Sequence, residues 1–378
     1  MLASIVTSRT AGAQAIASPA VDCAAAFRDS ASVRLIAALD QLAAVPPVWD
    51  TYTLARYPVL LLASPAHRGP SPAARCVGIW RHGRAMEQFV ADSVPAFSTP
   101  LYGMVNLDSV GPDVPRDMVR GTASMRTVSR VLAVELRDHD VARAVVLATP
   151  LDFTRLGQLG KALRTQGADP ARLQGYLAVH ESFHLHTQFP LWLRQAHDHP
   201  WPEWDRQPDR AALAARCYHA TSAAGADPSV EHAALLAAFD ALWTPERLPR
   251  RDEALAHARR FSAARRARYA RLANVQVPRD SAGISCRDAE DVMELEEGAP
   301  QWIAHATAVR AGLTSITQTR AGYERLQAQA FYQLGALQLW VLEGVLGQVQ
   351  MRQLTGDLAR SSSPRDGIFG RLTRALDR

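Results

Sequence analysis

Apolar residues in the first part of the chain follow two periods. From Ala31 to Ala44 they recur at i, i+3 and i+4 spacing, which predicts an amphipathic helix closed by Pro46 and Pro47. Short apolar runs bounded by Gly, Pro and polar residues then predict β-strands. These strands are expected at residues 57–62, 75–80, 101–105, 127–136 and 142–147. The pattern therefore predicts a small mixed α/β unit over residues 26–150.

After Pro150 the spacing of apolar residues becomes helical. Helices are predicted at residues 153–165, 229–243, 252–272, 288–310 and 327–345, and a further helix beginning near residue 172 is broken at Phe189-Pro190. We therefore expect an α+β fold in which the N-terminal unit with its sheet is followed by a mostly α-helical region, 151–360. Residues 1–25 are predicted to be a flexible N-terminus or signal remnant. Residues 361–378 are predicted to be a C-terminal tail with a short final helix.

The composition is that of an ordinary globular protein. Of the 378 residues, 48% are hydrophobic and 21% charged, and no apolar run approaches the length of a membrane span. The net charge is +5, and almost all of the basic residues are arginines, with Lys161 the one lysine. Because the arginines are interspersed with acidic residues and form no single patch, the sequence argues against a nucleic-acid-binding protein.

The cysteines and the N-terminus leave the cellular compartment open. The four cysteines are far apart and form no C-x-x-C pair, which argues against a thiolate zinc site. They can form two disulfides in an exported protein or remain buried thiols in the cytoplasm. Ala13-Gln14-Ala15 is typical of a signal-peptide cleavage site, but the residues before it lack a basic and a long apolar segment.

The pattern H-E-x-x-H occurs at residues 180–184, inside the helix predicted to begin near residue 172. Residues four apart lie on one helix face, so His180 and His184 can bind the same metal ion. Glu181 lies about 100° around the helix from His180, within reach of a water on that ion. Two nitrogen ligands, an open position and a carboxylate base are what a metallopeptidase requires. The alternative is a helix with two incidental histidines.

A catalytic zinc site needs a third protein ligand. One class of zincins takes it from the sixth residue after the second histidine, with Gly at the third. Here these positions hold Pro190 and Thr187, which excludes that class. Glu203 lies in a loop rich in Pro and Trp, and Glu231 lies on the next predicted helix. Both are weaker candidates than the acidic segment farther along the chain.

That segment is Glu294-Leu295-Glu296-Glu297-Gly298-Ala299-Pro300-Gln301-Trp302. Together with H-E-x-x-H it resembles the gluzincin metallopeptidases, in which a downstream helix carries an E-G-x-A-x-x-aromatic type of segment whose Glu binds zinc. Glu297 and Gly298 match this pattern and the aromatic Trp302 lies one position before the motif's aromatic residue, whereas Pro300 stands where a small residue is usual. The alternative explanation of the clustered glutamates is the favourable effect of the helix dipole on an acidic helix start.

The resemblance implies one Zn²⁺ per chain and a peptide or protein substrate. The metal ligands would be His180, His184 and Glu297, with Glu294 orienting a ligand histidine. As in zincins generally, a sheet edge is expected beside the metal-binding helix, and here we expect it to come from residues 127–149.

The same resemblance assigns the catalytic groups. Glu181 would accept a proton from the attacking water. A tyrosine on a later helix would stabilise the oxyanion, with Tyr332 preferred over Tyr323. The expected function is therefore zinc-dependent hydrolysis of peptide bonds. Three alternatives stay open: a metal-binding module without proteolytic activity, an enzyme with another metal or substrate, and a helical scaffold with coincidental motifs.

Overall fold

The computed structural model describes residues 23–63, 75–91, 102–106, 143–150, 169–188, 214, 217, 227–245, 248–272, 285–326, 330–360 and 367–377. The strand predicted at 127–136, the helix predicted at 153–165 and the candidate ligand Glu203 lie outside these residues.

Helices and strands are numbered here in chain order over the described residues. The helices are α1 (Cys23–Ala26), α2 (Ser30–Ala43), α3 (Pro170–Phe183), α4 (Ser229–Trp243), α5 (Arg251–Leu272), α6 (Cys286–Met293), α7 (Ala299–Arg310), α8 (Ile316–Gly322), α9 (Ala330–Leu346), α10 (Gln348–Arg360) and α11 (Ile368–Leu376). The strands are β1 (Val59–Ala63), β2 (Arg75–Trp80), β3 (Glu87–Ala91), β4 (Tyr102–Asn106) and β5 (Arg143–Ala148). A 3₁₀ turn spans Leu54–Arg56, and two π turns, His184–Gln188 and Glu294–Gly298, directly follow α3 and α6.

The five described strands form one mixed sheet in the order β3-β2-β1-β5-β4. β1 is parallel to β5, and the other three pairs are antiparallel. All five residues of β1 are buried, as expected for a central strand that is covered on both faces. The α+β class predicted from the sequence is confirmed, and β3 is an additional strand that the apolar pattern did not predict.

The sheet edge expected beside α3 falls partly outside the described residues, which do not include residues 107–142. The strand described within residues 127–149 is β5, but it is paired on both sides, with β1 and with β4. The outer described strand on that side is β4, which also contacts α3. The apolar pattern locates strands along the chain, but the order of strands in a sheet depends on tertiary pairing.

The N-terminal unit holds α3 in place. The side chain of Asp29 accepts hydrogen bonds from two backbone N–H groups and so caps α2, which packs along α3. Gly175 allows this close approach, because a Cβ at that position would lie 3.1 Å from Leu42 Cδ1. The hydroxyl of Tyr52 donates to the carbonyl oxygen of Val179 at 2.9 Å. The sheet unit therefore fixes the part of α3 next to the H-E-x-x-H motif.

The single helix predicted at 288–310 is divided into α6, a π turn and α7. Pro300 explains the interruption. Proline has no backbone N–H, and its ring clashes with the carbonyl four residues earlier, which belongs to Glu296. An uninterrupted α-helix is therefore unfavourable through this segment, and the wider π turn accommodates the proline.

Both cysteine pairs are disulfides. Cys23–Cys76 joins α1 to β2, and Cys217–Cys286 ties Cys217 to the start of α6. No free cysteine remains. The second bond constrains a loop of 69 residues and anchors the beginning of the helix that leads to Glu297.

The remaining helices share one hydrophobic core with the sheet. α9 is its central helix, with most of its residues buried. α11, in the region predicted to be a tail, buries Ile368, Leu372 and Leu376 and packs on α5 and α9. Within the described residues, no helix has both the length and the apolar character that crossing a bilayer requires.

Candidate metal centre

The first two candidate ligands are placed by α3. This helix begins at the N-cap Asp169, with Pro170 at a favoured first position, so its register is set by local signals. His180 and His184 follow on one inward face and are 7% and 0% exposed. Their rings meet edge to face with centroids 4.9 Å apart.

Each of the two motifs contains a π turn, and each turn contributes one candidate ligand. His184 begins the first π turn, and Glu297 lies in the second. Each turn ends two residues before a proline in the sequence, Pro190 and Pro300. π turns inside helices are rare and occur frequently at functional sites.

The structure brings the three predicted ligands together, although 113 residues separate the two motifs. Glu297 Oε2 lies 3.3 Å from His180 Nε2 and 3.5 Å from His184 Nε2, and the two imidazole nitrogens are 3.1 Å apart. All three side chains are buried.

These separations fit a tetrahedral zinc site. With ligand bonds of about 2.0–2.1 Å, a tetrahedral ion holds its ligand atoms about 3.3 Å from one another. A point about 0.7 Å from the plane of the three atoms is about 2.0 Å from each of them, and the fourth corner is left for a water or a substrate. Two neutral imidazoles and one carboxylate also suit zinc chemically.

Gln188 links the two motifs and was not among the residues predicted from the sequence. Its Oε1 lies 2.5 Å from Nδ1 of His184, and its Nε2 donates to the carbonyl oxygen of Leu295 at 3.0 Å. Because His184 donates its Nδ1–H to Gln188, its Nε2 carries the lone pair. This lone pair faces the point where the three candidate ligand atoms converge. The available signal was position: Gln188 lies four residues after His184.

Glu181 follows His180 directly and is 2% exposed. Its Oε2 is buried and has no hydrogen-bond partner among the residues that the structure describes. Leaving a buried carboxylate oxygen unsatisfied is costly, so a molecule that donates a hydrogen bond there is favoured. A water is such a donor.

The two candidate tyrosines have different neighbours. Tyr332, near the start of α9, is half-buried and lies beside His180 with ring centroids 6.1 Å apart. Tyr323 is buried, and its hydroxyl lies 2.7 Å from Nδ1 of His305. Burial raises the pKa of Tyr323, so it remains a phenol at neutral pH. Burial and the neighbouring His180 lower the pKa of His305 to about 4, so this imidazole is neutral.

Two further glutamates belong to a buried ionic network. The carboxylate of Glu294 accepts hydrogen bonds from Arg265 and from Gln338, and Glu231 accepts from Arg265 and Arg268. Glu231 is therefore not a member of the ligand group. The imidazole of His184 donates its Nδ1–H to the amide oxygen of Gln188, and the role expected for Glu294 stays a prediction.

The third histidine of this segment, His186, is excluded from the ligand group. Its ring stacks on Tyr57 with centroids 3.7 Å apart and planes 5° apart. Tyr57 directly precedes the sheet, so His186 ties the first π turn to the N-terminal unit.

Comparisons of the chain with models of known protein families, with curated proteins and with solved structures found no match.

Proposed function

We propose that this protein is a zinc-dependent metallopeptidase of the gluzincin type that hydrolyses peptide bonds. The observation that carries the proposal is the mutual distance of the three ligand atoms, 3.1–3.5 Å, which fits a tetrahedral zinc site with one open position. His180, His184 and Glu297 would hold the ion. A bound Zn²⁺ supplies Lewis acidity, because it lowers the pKa of a water and polarises a substrate carbonyl.

The protein's own side chains have the remaining roles. The unsatisfied Oε2 of Glu181 accepts a proton from the attacking water, and the same carboxyl group then donates a proton to the leaving amine. Tyr332, beside His180, donates a hydrogen bond to the substrate oxygen as it gains negative charge. Gln188 holds His184 in the tautomer that leaves Nε2 free to bind.

A second candidate function is metal binding without proteolysis. The near-complete burial of the ligands favours it: His184 is 0% and Glu297 2% exposed. A structural zinc site is closed in this way, whereas a peptidase must admit a peptide to the open position.

Substitution of the base separates these functions. We expect the zinc-loaded wild type to cleave peptides from a fluorogenic peptide library, and Glu181→Gln to lower turnover by at least about 10²-fold. Zinc content, measured by elemental analysis, should stay near one ion per chain in both, because Glu181 is not a ligand. Glu324→Gln is the matched control, since the Glu324 side chain is 69% exposed.

Zinc content and peptide cleavage together distinguish the two candidate functions. Zinc at one ion per chain with no cleavage of any library peptide would favour the metal-binding module. Full turnover in Glu181→Gln would remove Glu181 from the mechanism.

A further inference from the structure

Beside the metal centre lies a network of buried charges. Arg265, Arg268, Glu231, Glu290 and Glu294 are each at most 3% exposed. They connect α4, α5, α6 and the second π turn. Burying ionised groups costs free energy, and apolar residues of similar volume are often equally stabilising. In some proteins such a network specifies geometry, and one member of this network, Glu294, is only three residues from Glu297.

The guanidinium group of Arg265 forms two hydrogen bonds with the carboxylate of Glu294. Nη1 and Nη2 lie 2.9 and 2.7 Å from the two oxygens of Glu294, and Nε lies 2.6 Å from Glu231 Oε2. Paired parallel bonds of this kind fix orientation as well as distance, which a lysine ammonium cannot do. Three aromatic rings pack around this guanidinium group, with their centroids 5.0–5.6 Å from its carbon atom Cζ. They belong to Phe261, Tyr269 and Phe369.

The second π turn is thus held at both ends. Glu294, its first residue, is bound by Arg265 and by Gln338 Nε2 at 2.6 Å. Gly298, its last residue, packs so closely on α9 that an added Cβ would lie 2.6 Å from the Cα of Gly335. Glu297 stands between these two anchors, one residue before Gly298.

We propose that Arg265 is a positioning residue for the metal ligand Glu297. Its bidentate ion pair with Glu294 fixes the second π turn, which carries Glu297, and thereby sets the affinity of the site for a divalent cation. This inference rests on the metal site of the proposed function. Arg268 makes the same kind of buried contact, but with Glu231 and Glu290, and Glu290 lies two helical turns from Glu297. The structure therefore contains its own control.

The test compares Arg265→Lys with Arg268→Lys in the full chain, with Zn²⁺ alone as the probe. Zinc affinity is measured by competition with a chromophoric chelator, and thermal unfolding of the metal-free protein is measured in parallel. Both variants should unfold at lower temperature. We expect Arg265→Lys to bind zinc about tenfold or more weakly and Arg268→Lys to stay within about twofold of wild type. Equal zinc affinities in the two variants would overturn the inference.

A milder variant covers the case in which Arg265→Lys does not fold. Gln338→Met removes one hydrogen bond to Glu294 and leaves the ionic network intact. We expect a loss of zinc affinity of about threefold or more, and unchanged affinity would contradict the positioning role. Wild type that binds zinc without cleaving peptides would overturn only the proposed function. Unchanged zinc affinity in the variants would overturn only the inference about Arg265.

Discussion

At the scale of single residues, the candidate metal centre combines side chains that are held in place with one unpaired carboxylate oxygen. His184 is oriented by Gln188, and Gln188 is itself held by the backbone of the opposite motif. Glu181, by contrast, keeps a buried oxygen without a hydrogen-bond partner in the described part of the chain. Fixed ligands beside an unsatisfied base are the arrangement expected where a water has to be bound and deprotonated.

A second residue, Asp291, makes stability depend on pH. Burial, followed by the nearby negative charge of Glu294, raises the pKa of Asp291 to about 7, and the hydroxyl of Tyr269 donates to it at 2.6 Å. Because this pKa is higher in the folded state than in the unfolded state, the folded protein retains a proton that the unfolded chain releases above about pH 4. The resulting stability is present at low pH and is lost as the pH rises through about 7.

Asp291→Asn should remove this dependence. The variant has no carboxyl group to ionise at this position. We therefore expect the melting temperature of the wild type, relative to that of the variant, to be higher at pH 5 than at pH 8.5. Melting curves of both proteins at the two pH values, recorded with a chelator present, give this difference. A difference that does not change with pH would show that Asp291 titrates normally.

At the scale of elements, two interrupted helices build the site. The π turns at His184–Gln188 and Glu294–Gly298 each end two residues before a proline. The proline that departs from the E-G-x-A pattern, Pro300, is thus the physical reason for the turn that carries Glu297. The second turn needs a close neighbour, and Gly335 on α9 supplies it.

Gly335→Ala tests this contact. A Cβ at position 335 would lie 2.9 Å from the Cα of Gly298 and would also meet the carbonyl oxygen of Glu294, so the turn or α9 has to move. We expect a loss of stability of at least about 1–3 kcal/mol, the usual cost of overpacking. Zinc affinity should fall as well, because the displaced turn carries Glu297. Denaturant unfolding and chelator competition measure the two effects.

Gly322→Ala is the matched control for this substitution. Gly322 is also helical, but a Cβ added there meets no atom of the described residues within 4 Å. We expect unchanged or slightly higher stability, because alanine has the better helix propensity, and unchanged zinc affinity. If both alanine variants behaved alike, the close contact between Gly298 and Gly335 would not be what holds the turn.

At the scale of the whole molecule, the sequence predicted local features better than their assembly. The limits of β2 and α4 were predicted at Arg75–Trp80 and Ser229–Trp243 and are found there. Apolar spacing and the polar, Gly and Pro residues that flank it indicate such limits locally. The order of the described strands and the partners of Arg265 depend on segments far apart in the chain, which periodicity does not report.

The three candidate ligands were predicted partly from local helix geometry and partly from a motif resemblance. His180 and His184 lie one helical turn apart, so their proximity follows from helix geometry. The proximity of Glu297 came from a motif resemblance, and the structure places it with the two histidines. Gln188 and the two π turns were missed, although Pro190 and Pro300 were visible signals of helix interruption.

Anomalous X-ray scattering at the zinc absorption edge shows directly whether His180, His184 and Glu297 bind one zinc ion. Crystals of the wild-type protein grown with zinc should show one strong anomalous peak about 2.0–2.2 Å from His180 Nε2, His184 Nε2 and an oxygen of Glu297. Zinc supplied in excess with no peak at this position, or with a peak only at other side chains, would contradict the account.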